Sequence, residues 1–151
     1  MNKVIQYLQL NFLPHSVDAG LLILRLWFGL SLFLLHGKGK LMGFSTMSQK
    51  FPPLFGLSSS ASLSMAIFTE VVAALLLVVG LFTRLAALNA VITFAVAFFI
   101  VHKASLASGP GSGEPAFVYL AVFVTLLVAG PGRFSLDAML NRSAAARTDY
   151  R

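Results

Sequence analysis

Residues 21–40 read LLILRLWFGLSLFLLHGKGK, and the first fifteen of them decide the class of fold. That stretch is apolar on every side, so a helix formed from it is surrounded by lipid or protein rather than by water. Arg25 nevertheless sits inside it. An arginine at that depth is expensive and calls for a partner or a task.

The rest of the chain has the same character. It has 151 residues, 58% hydrophobic and 11% charged, with a mean hydropathy of +0.86. An ordinary soluble domain carries about 25% charged residues. A water-soluble core cannot hide this much apolar surface, so the composition indicates a multi-span membrane protein in contact with the lipid bilayer. The net charge of +6 does not point to nucleic acid, because the basic residues lie mainly between and after the apolar runs, as topology signals do. There is no cysteine. Disulfide exchange, thiolate nucleophiles, Cys-ligated zinc and iron–sulfur clusters are therefore excluded within this chain. Residues 21–35 lack the short h-region and small-residue cleavage site of a signal peptide and are expected to stay in the protein.

In residues 1–15, Val4, Ile5, Leu8 and Phe12 fall at helical spacing and Pro14 ends the pattern. A short helix lying in the membrane interface is expected there. Asp18 is expected to cap a first span over 19–36. Residues 37–60 hold glycines, Pro52-Pro53 and a serine run, but also Phe44, Met47, Phe51, Leu54 and Phe55. That mixture predicts a segment folded back on the membrane surface as a lid. Further spans are predicted over 61–82, with Glu70 as its only acidic residue, over 85–101, and over 116–130. The last is short for a bilayer that needs about 20 helical residues. The organisation expected is an interfacial segment 1–17, a transmembrane domain 18–140 and a flexible basic tail 141–151. The fold class is all-α: an integral membrane four-helix bundle with a surface-lying segment between helices 1 and 2.

Four antiparallel spans bring His36, Lys38, Lys40, His102, Lys103, Glu114 and Tyr119 to one side. Glu70 lies about two turns below that surface and Arg25 enters from the opposite side, leaving roughly 10 Å between them along the membrane normal. A long arginine nearly closes such a gap. Arg25, Gly29, Leu32 and His36 share one helical face. Two alternatives stay open. Arg25 and Glu70 form a structural ion pair fixing helix register, or they line a polar pocket with His36. His36 and His102 are solvated helix-end histidines or site residues. A bis-histidine haem or metal site finds no further ligands at diagnostic spacing. Asn89 and Thr93 are expected to glue helices, and Trp27 to face lipid or pack. Six Lys and Arg on one side (3, 84, 133, 142, 147, 151) against four on the other (38, 40, 50, 103) favour both termini in the cytoplasm.

Arg25 followed by Gly29, then HGKGKLMGF at 36–44, Glu70 followed by VGLFTRLAAL at 79–88, FFIVH at 98–102 and GPGRFSLD at 130–137 come in an order that resembles the DoxX family of small bacterial membrane proteins. The resemblance covers about 18–140. It implies a four-helix bundle of the bacterial inner membrane, and a role as a membrane oxidoreductase or oxidoreductase-complex subunit. Relatives include a quinol-linked thiosulfate oxidation subunit and quinone or hydroxyhydroquinone reductases. The family's polar signature maps onto Arg25, Lys40, Glu70 and His102. Thiol chemistry known in some members does not transfer to a chain without cysteine.

Two functions follow as expectations. In the first, a quinone-like ring enters between the helices. Glu70 and His102 exchange protons and Lys40 polarises a carbonyl oxygen as the catalytic groups, while Arg25, His36, Glu114 and Tyr119 bind substrate. No flavin, haem or nicotinamide motif is visible, so a redox partner subunit or a co-bound reductant supplies electrons. In the second, the same cluster is the surface of a non-catalytic scaffold that binds a partner protein or a second copy of the chain.

Overall fold

The computed structural model describes residues 3–10, 16–107, 109 and 111–148, the side chains of 144–148 excepted. The described residues are helical, without a strand. We number the helices α1 (Lys3–Leu8), α2 (Val17–Met42), α3 (Phe44–Met47), α4 (Ser59–Val79), α5 (Thr83–Val101), α6 (Glu114–Ala129) and α7 (Leu136–Thr148). Three of them, α2, α4 and α5, are long and apolar enough to cross a membrane, and α6 is a shorter apolar helix. These four form the bundle. The outer face of α2 is suited to lipid: Ile23, Leu34 and Leu35 are exposed, and Trp27 is 72% exposed.

Lipid is as apolar as leucine, so close packing rather than apolar burial must join such helices, and small residues permit it. Ala73 and Ala74 of α4 and Ala86, Ala87 and Ala90 of α5 are all buried. The α5–α6 seam is aromatic instead. Phe94, Tyr119 and Phe123 stack, with Phe94 and Tyr119 ring centres 5.0 Å apart.

The first span differs from the sequence expectation at both ends. Ser16, not Asp18, caps α2, its hydroxyl accepting the Ala19 N–H at 3.1 Å. Asp18 instead accepts the Arg133 N–H at 2.8 Å, tying the chain after α6 to the foot of α2. At the other end α2 does not stop at residue 36. A π turn over Leu32–Gly37 takes in an extra residue, with the Lys38 N–H bonded to the Phe33 carbonyl, and helix continues to Met42. The added turns carry Lys40 over α4. Further π turns lie at Phe68–Ala73 in α4 and Val96–Val101 in α5.

The segment after α2 folds back, as its apolar content predicts, and the Leu54 N–H donates to the buried Ser62 hydroxyl at 3.0 Å. Helix α1 is present, but Phe12 and Pro14 lie outside the described residues. The tail expected to be flexible from 141 is helical as far as Thr148.

A candidate pocket under a fold-back segment

Arg25 and Glu70 do not form the pair that the sequence suggests. Each finds a partner at its own end of the bundle. Arg25 is fully buried and donates from Nη2 to the Phe134 carbonyl in the loop between α6 and α7. Its guanidinium packs on Gly80, which ends α4 with φ +71°, a left-handed conformation that glycine adopts at no steric cost. A Cβ there would stand 1.8 Å from Arg25 Nη1. The same end holds Asp137, whose two oxygens accept the Phe82 and Thr83 N–H groups at 2.8 Å each. A carboxylate from α7 thus caps the start of α5. Partial burial alone would raise the Asp137 carboxyl, but these donors and the Arg25 charge outweigh it and hold the group below the ordinary carboxylate range.

At the opposite end Glu70 is buried and forms an ion pair through Oε1 with Lys40 Nζ. The contact depends on Gly37. A Cβ at that position would lie 2.4 Å from the Glu70 carbonyl oxygen and 2.8 Å from its carbonyl carbon. Only glycine lets α2 lie directly on the π turn of α4, three residues before Lys40.

Beside this ion pair lies a cavity of about 300 Å³. Its roof is the fold-back segment, through Phe51, Pro52, Leu54, Phe55 and Leu57. Its walls come from α4 (Ser62, Met65, Ala66, Glu70) and α5 (Ile92, Thr93, Phe94, Val96, Ala97, Val101, His102), and Lys40 reaches it from α2. The structure therefore brings Lys40, Glu70 and His102 to one cavity.

His102 is oriented: its Nδ1 lies 2.8 Å from the Gly111 carbonyl oxygen. A carbonyl only accepts, so Nδ1 carries a proton and donates it to Gly111. Thr69 Oγ1 bonds Asn89 Oδ1 at 2.7 Å and Thr93 Oγ1 at 2.8 Å, joining α4 to α5. The helix-gluing role expected of Asn89 and Thr93 is thus present, and Thr93 also lines the cavity.

His36 and Tyr119 stand behind the cavity rather than in it. Their rings meet edge to face at 5.5 Å, Tyr119 shares a 2.9 Å hydrogen bond with Ser31, and Phe94 separates Tyr119 from the cavity. His36 lies within the electrostatic reach of Glu70 and Lys40. Glu114 is exposed in the first turn of α6, outside the cavity, where a carboxylate suits the positive end of the helix. Arg25 is not brought to the cavity.

Arg25, Lys40, Glu70 and His102, the residues the resemblance singles out, all lie within residues 20–103, which the DoxX family model matches. The chain belongs to the DoxX family. An uncharacterized protein of Haemophilus influenzae is 32% identical over 113 residues, covering 70% of this chain and 80% of that one. No solved structure matches.

In this DoxX protein the sequence had announced the lid as a group of apolar residues, but not Gly37, Ser62 or the three π turns. A π turn has no residue signature of its own, and in spans that are apolar on most sides the one-residue shift it introduces does not stand out. Gly37 carried a signal only as one of several glycines in a run.

Proposed function

We propose that this DoxX protein is a membrane oxidoreductase, or the membrane subunit of one, acting on a quinone-like ring held under the lid. The observation that supports this reading most is the meeting of Lys40, Glu70 and His102 at a cavity whose remaining wall, Ser62 and Thr93 apart, is apolar and aromatic. Ligand sites have this composition: mostly apolar, with a few convergent polar groups. About 300 Å³ suits a substituted ring, and a long isoprenoid tail would trail past Phe55 into lipid. Reduction of a quinone takes up two electrons and two protons. In this reading Glu70 and His102 exchange protons at the ring oxygens, and the Lys40 ammonium neutralises charge developing there. Electrons come from a redox partner subunit or a reductant bound beside the ring. The setting is a bacterial inner membrane with both termini cytoplasmic. The charge difference favours this orientation more once Lys40 is spent on Glu70.

The test is mass spectrometry of small molecules extracted from protein purified gently from its own membrane. A quinone present in about one copy per chain, and depleted in Glu70→Gln, supports the redox reading. Lipid alone, with a protein partner co-purifying, overturns it in favour of the scaffold.

A further inference from the structure

At the end of the bundle opposite the cavity, the one that holds Arg25 and Asp137, the chain after α6 forms a second surface that owes nothing to the quinone-like reading. We infer that the first turns of α7, with the loop before them, lie in the headgroup layer of the membrane and bind anionic phospholipid there.

Helix α6 has 16 residues. At 1.5 Å each they span about 24 Å, against roughly 30 Å of hydrocarbon, so this span falls about 6 Å short. The shortfall belongs at the foot, because the chain just before α6 reads SGPGSGE at 108–114 and suits water. After Ala129 come Phe134, Leu136, Met139 and Leu140, with side chains 57%, 40%, 62% and 56% exposed. They supply the apolar contact that α6 stops too soon to make.

Leu136, Met139 and Leu140 share one face of α7. The helix is fixed to the bundle by residues off that face. Asp137 accepts the Phe82 and Thr83 N–H groups and donates its own N–H to the Gly80 carbonyl at 2.9 Å, and Ser135 is buried. The apolar stripe is left outward, next to the start of α5, where Phe82 and Leu85 are 61% and 68% exposed. It thus continues the lipid-facing surface of a membrane-spanning helix.

Charge selects the headgroup. Arg133 and Arg142 flank the stripe in sequence, both are exposed, and neither forms an ion pair among the described residues. The nearby acids do not compensate them, since Asp18 and Asp137 are taken up by backbone N–H groups. Apolar side chains beside unpaired cations fit a lipid surface of negative charge. Each arginine near such a surface strengthens the attraction about fivefold.

The test is quenching of tryptophan fluorescence by lipid in vesicles holding the full chain. Trp27 is the one tryptophan and lies exposed on α2. A Trp27→Phe background therefore accepts single reporters: Met139→Trp and Leu140→Trp on the stripe, Asn141→Trp off it. Brominated phosphatidylcholine should quench the first two strongly and the third weakly, and aqueous acrylamide should do the reverse. Brominated phosphatidylglycerol at the same mole fraction should quench Met139→Trp more deeply. The preference read from that difference should fall about fivefold in each of Arg133→Gln and Arg142→Gln. Quenching of both stripe reporters by acrylamide and not by lipid overturns the inference and leaves α7 to water or a protein partner. Equal quenching by the two lipids overturns the binding of anionic headgroups, with α7 still in the membrane.

Discussion

Two glycines two residues apart on α2 should respond to the same substitution with opposite signs. Gly37→Ala places a Cβ 2.4 Å from the Glu70 carbonyl oxygen and 2.8 Å from its carbon, and both atoms belong to backbone that cannot swing aside. The helices must part by about 0.6 Å before the closer contact reaches even a tight van der Waals distance. Overpacking of this kind costs about 1–3 kcal/mol. Alanine returns about 0.5–1 kcal/mol in a helix relative to glycine, so a net loss of about 1–2 kcal/mol is expected. Gly39→Ala meets nothing within 4 Å and keeps the propensity gain alone. For a chain of this length each kcal/mol moves Tm by about 2–4 °C. Thermal unfolding in detergent, followed by circular dichroism, should show Gly37→Ala lower by about 2–8 °C and Gly39→Ala raised by about 1–4 °C. Equal shifts, or a neutral Gly37→Ala, would refute the close crossing of α2 over the π turn of α4.

Exchanging the ion pair tests whether Lys40 and Glu70 act on each other. With Lys40 20% and Glu70 7% exposed, each single reversal, Lys40→Glu or Glu70→Lys, should cost about 2–3 kcal/mol. The double exchange should recover at least half of that in a double-mutant cycle, whereas strictly additive losses would dismiss the pair. Acid should loosen the other end of the molecule. Because the folded Asp137 carboxyl is held low, its stabilisation is whole at neutral pH. It disappears as pH falls below about 4 and through the folded value. The protection of the Phe82 and Thr83 amides against hydrogen exchange, taken relative to the intrinsic rate at each pH, should therefore fall in acid, and Asp137→Asn should remove that pH dependence at a cost of about 1 kcal/mol. An unchanged pH profile in the variant would argue against the cap.

The spans were legible because hydropathy and helix length are properties of contiguous residues. The convergence of Lys40, Glu70 and His102 was legible too, since alternating spans must bring those ends together. The partner of Arg25 was not. Rise per residue gave its depth, and from depth alone Glu70 seemed within reach. Its hydrogen bond goes from Nη2 to the Phe134 carbonyl, 109 residues away, a backbone atom with no signature in sequence. Asp18 misled for a related reason. Its position suited a cap for its own helix, yet Ser16 was available for that, which freed the carboxylate for Arg133. The end of α2 was placed too early because glycines in 37–43 suggested a loop. Continued helix there depends on the contact with α4 and on a π turn, both tertiary matters.

The contrast between the two buried charges locates the working end of the bundle. At the foot, Arg25 meets a carbonyl and the field of Asp137, and it is packed against Gly80 with no room for a Cβ. Its Nε and Nη1 have no hydrogen-bond partner, so both buried charges are partly unsatisfied, but of the two Glu70 alone borders a cavity. At the head, Glu70 has one oxygen paired and one without a donor, beside a cavity and under a segment latched by a hydrogen bond from Leu54 to Ser62. The π turns of α2 and α5 lie in this half of their spans and that of α4 lies at mid-span around Glu70, and such turns recur at functional sites. In the turn of α4 the Ala74 N–H reaches back to Thr69, and the helix thereby takes in one residue more than α-geometry allows. That extra residue shifts the register of Glu70 against the lower half of α4, so the carboxylate can meet Lys40 while Ala74 and Leu77 stay in the core.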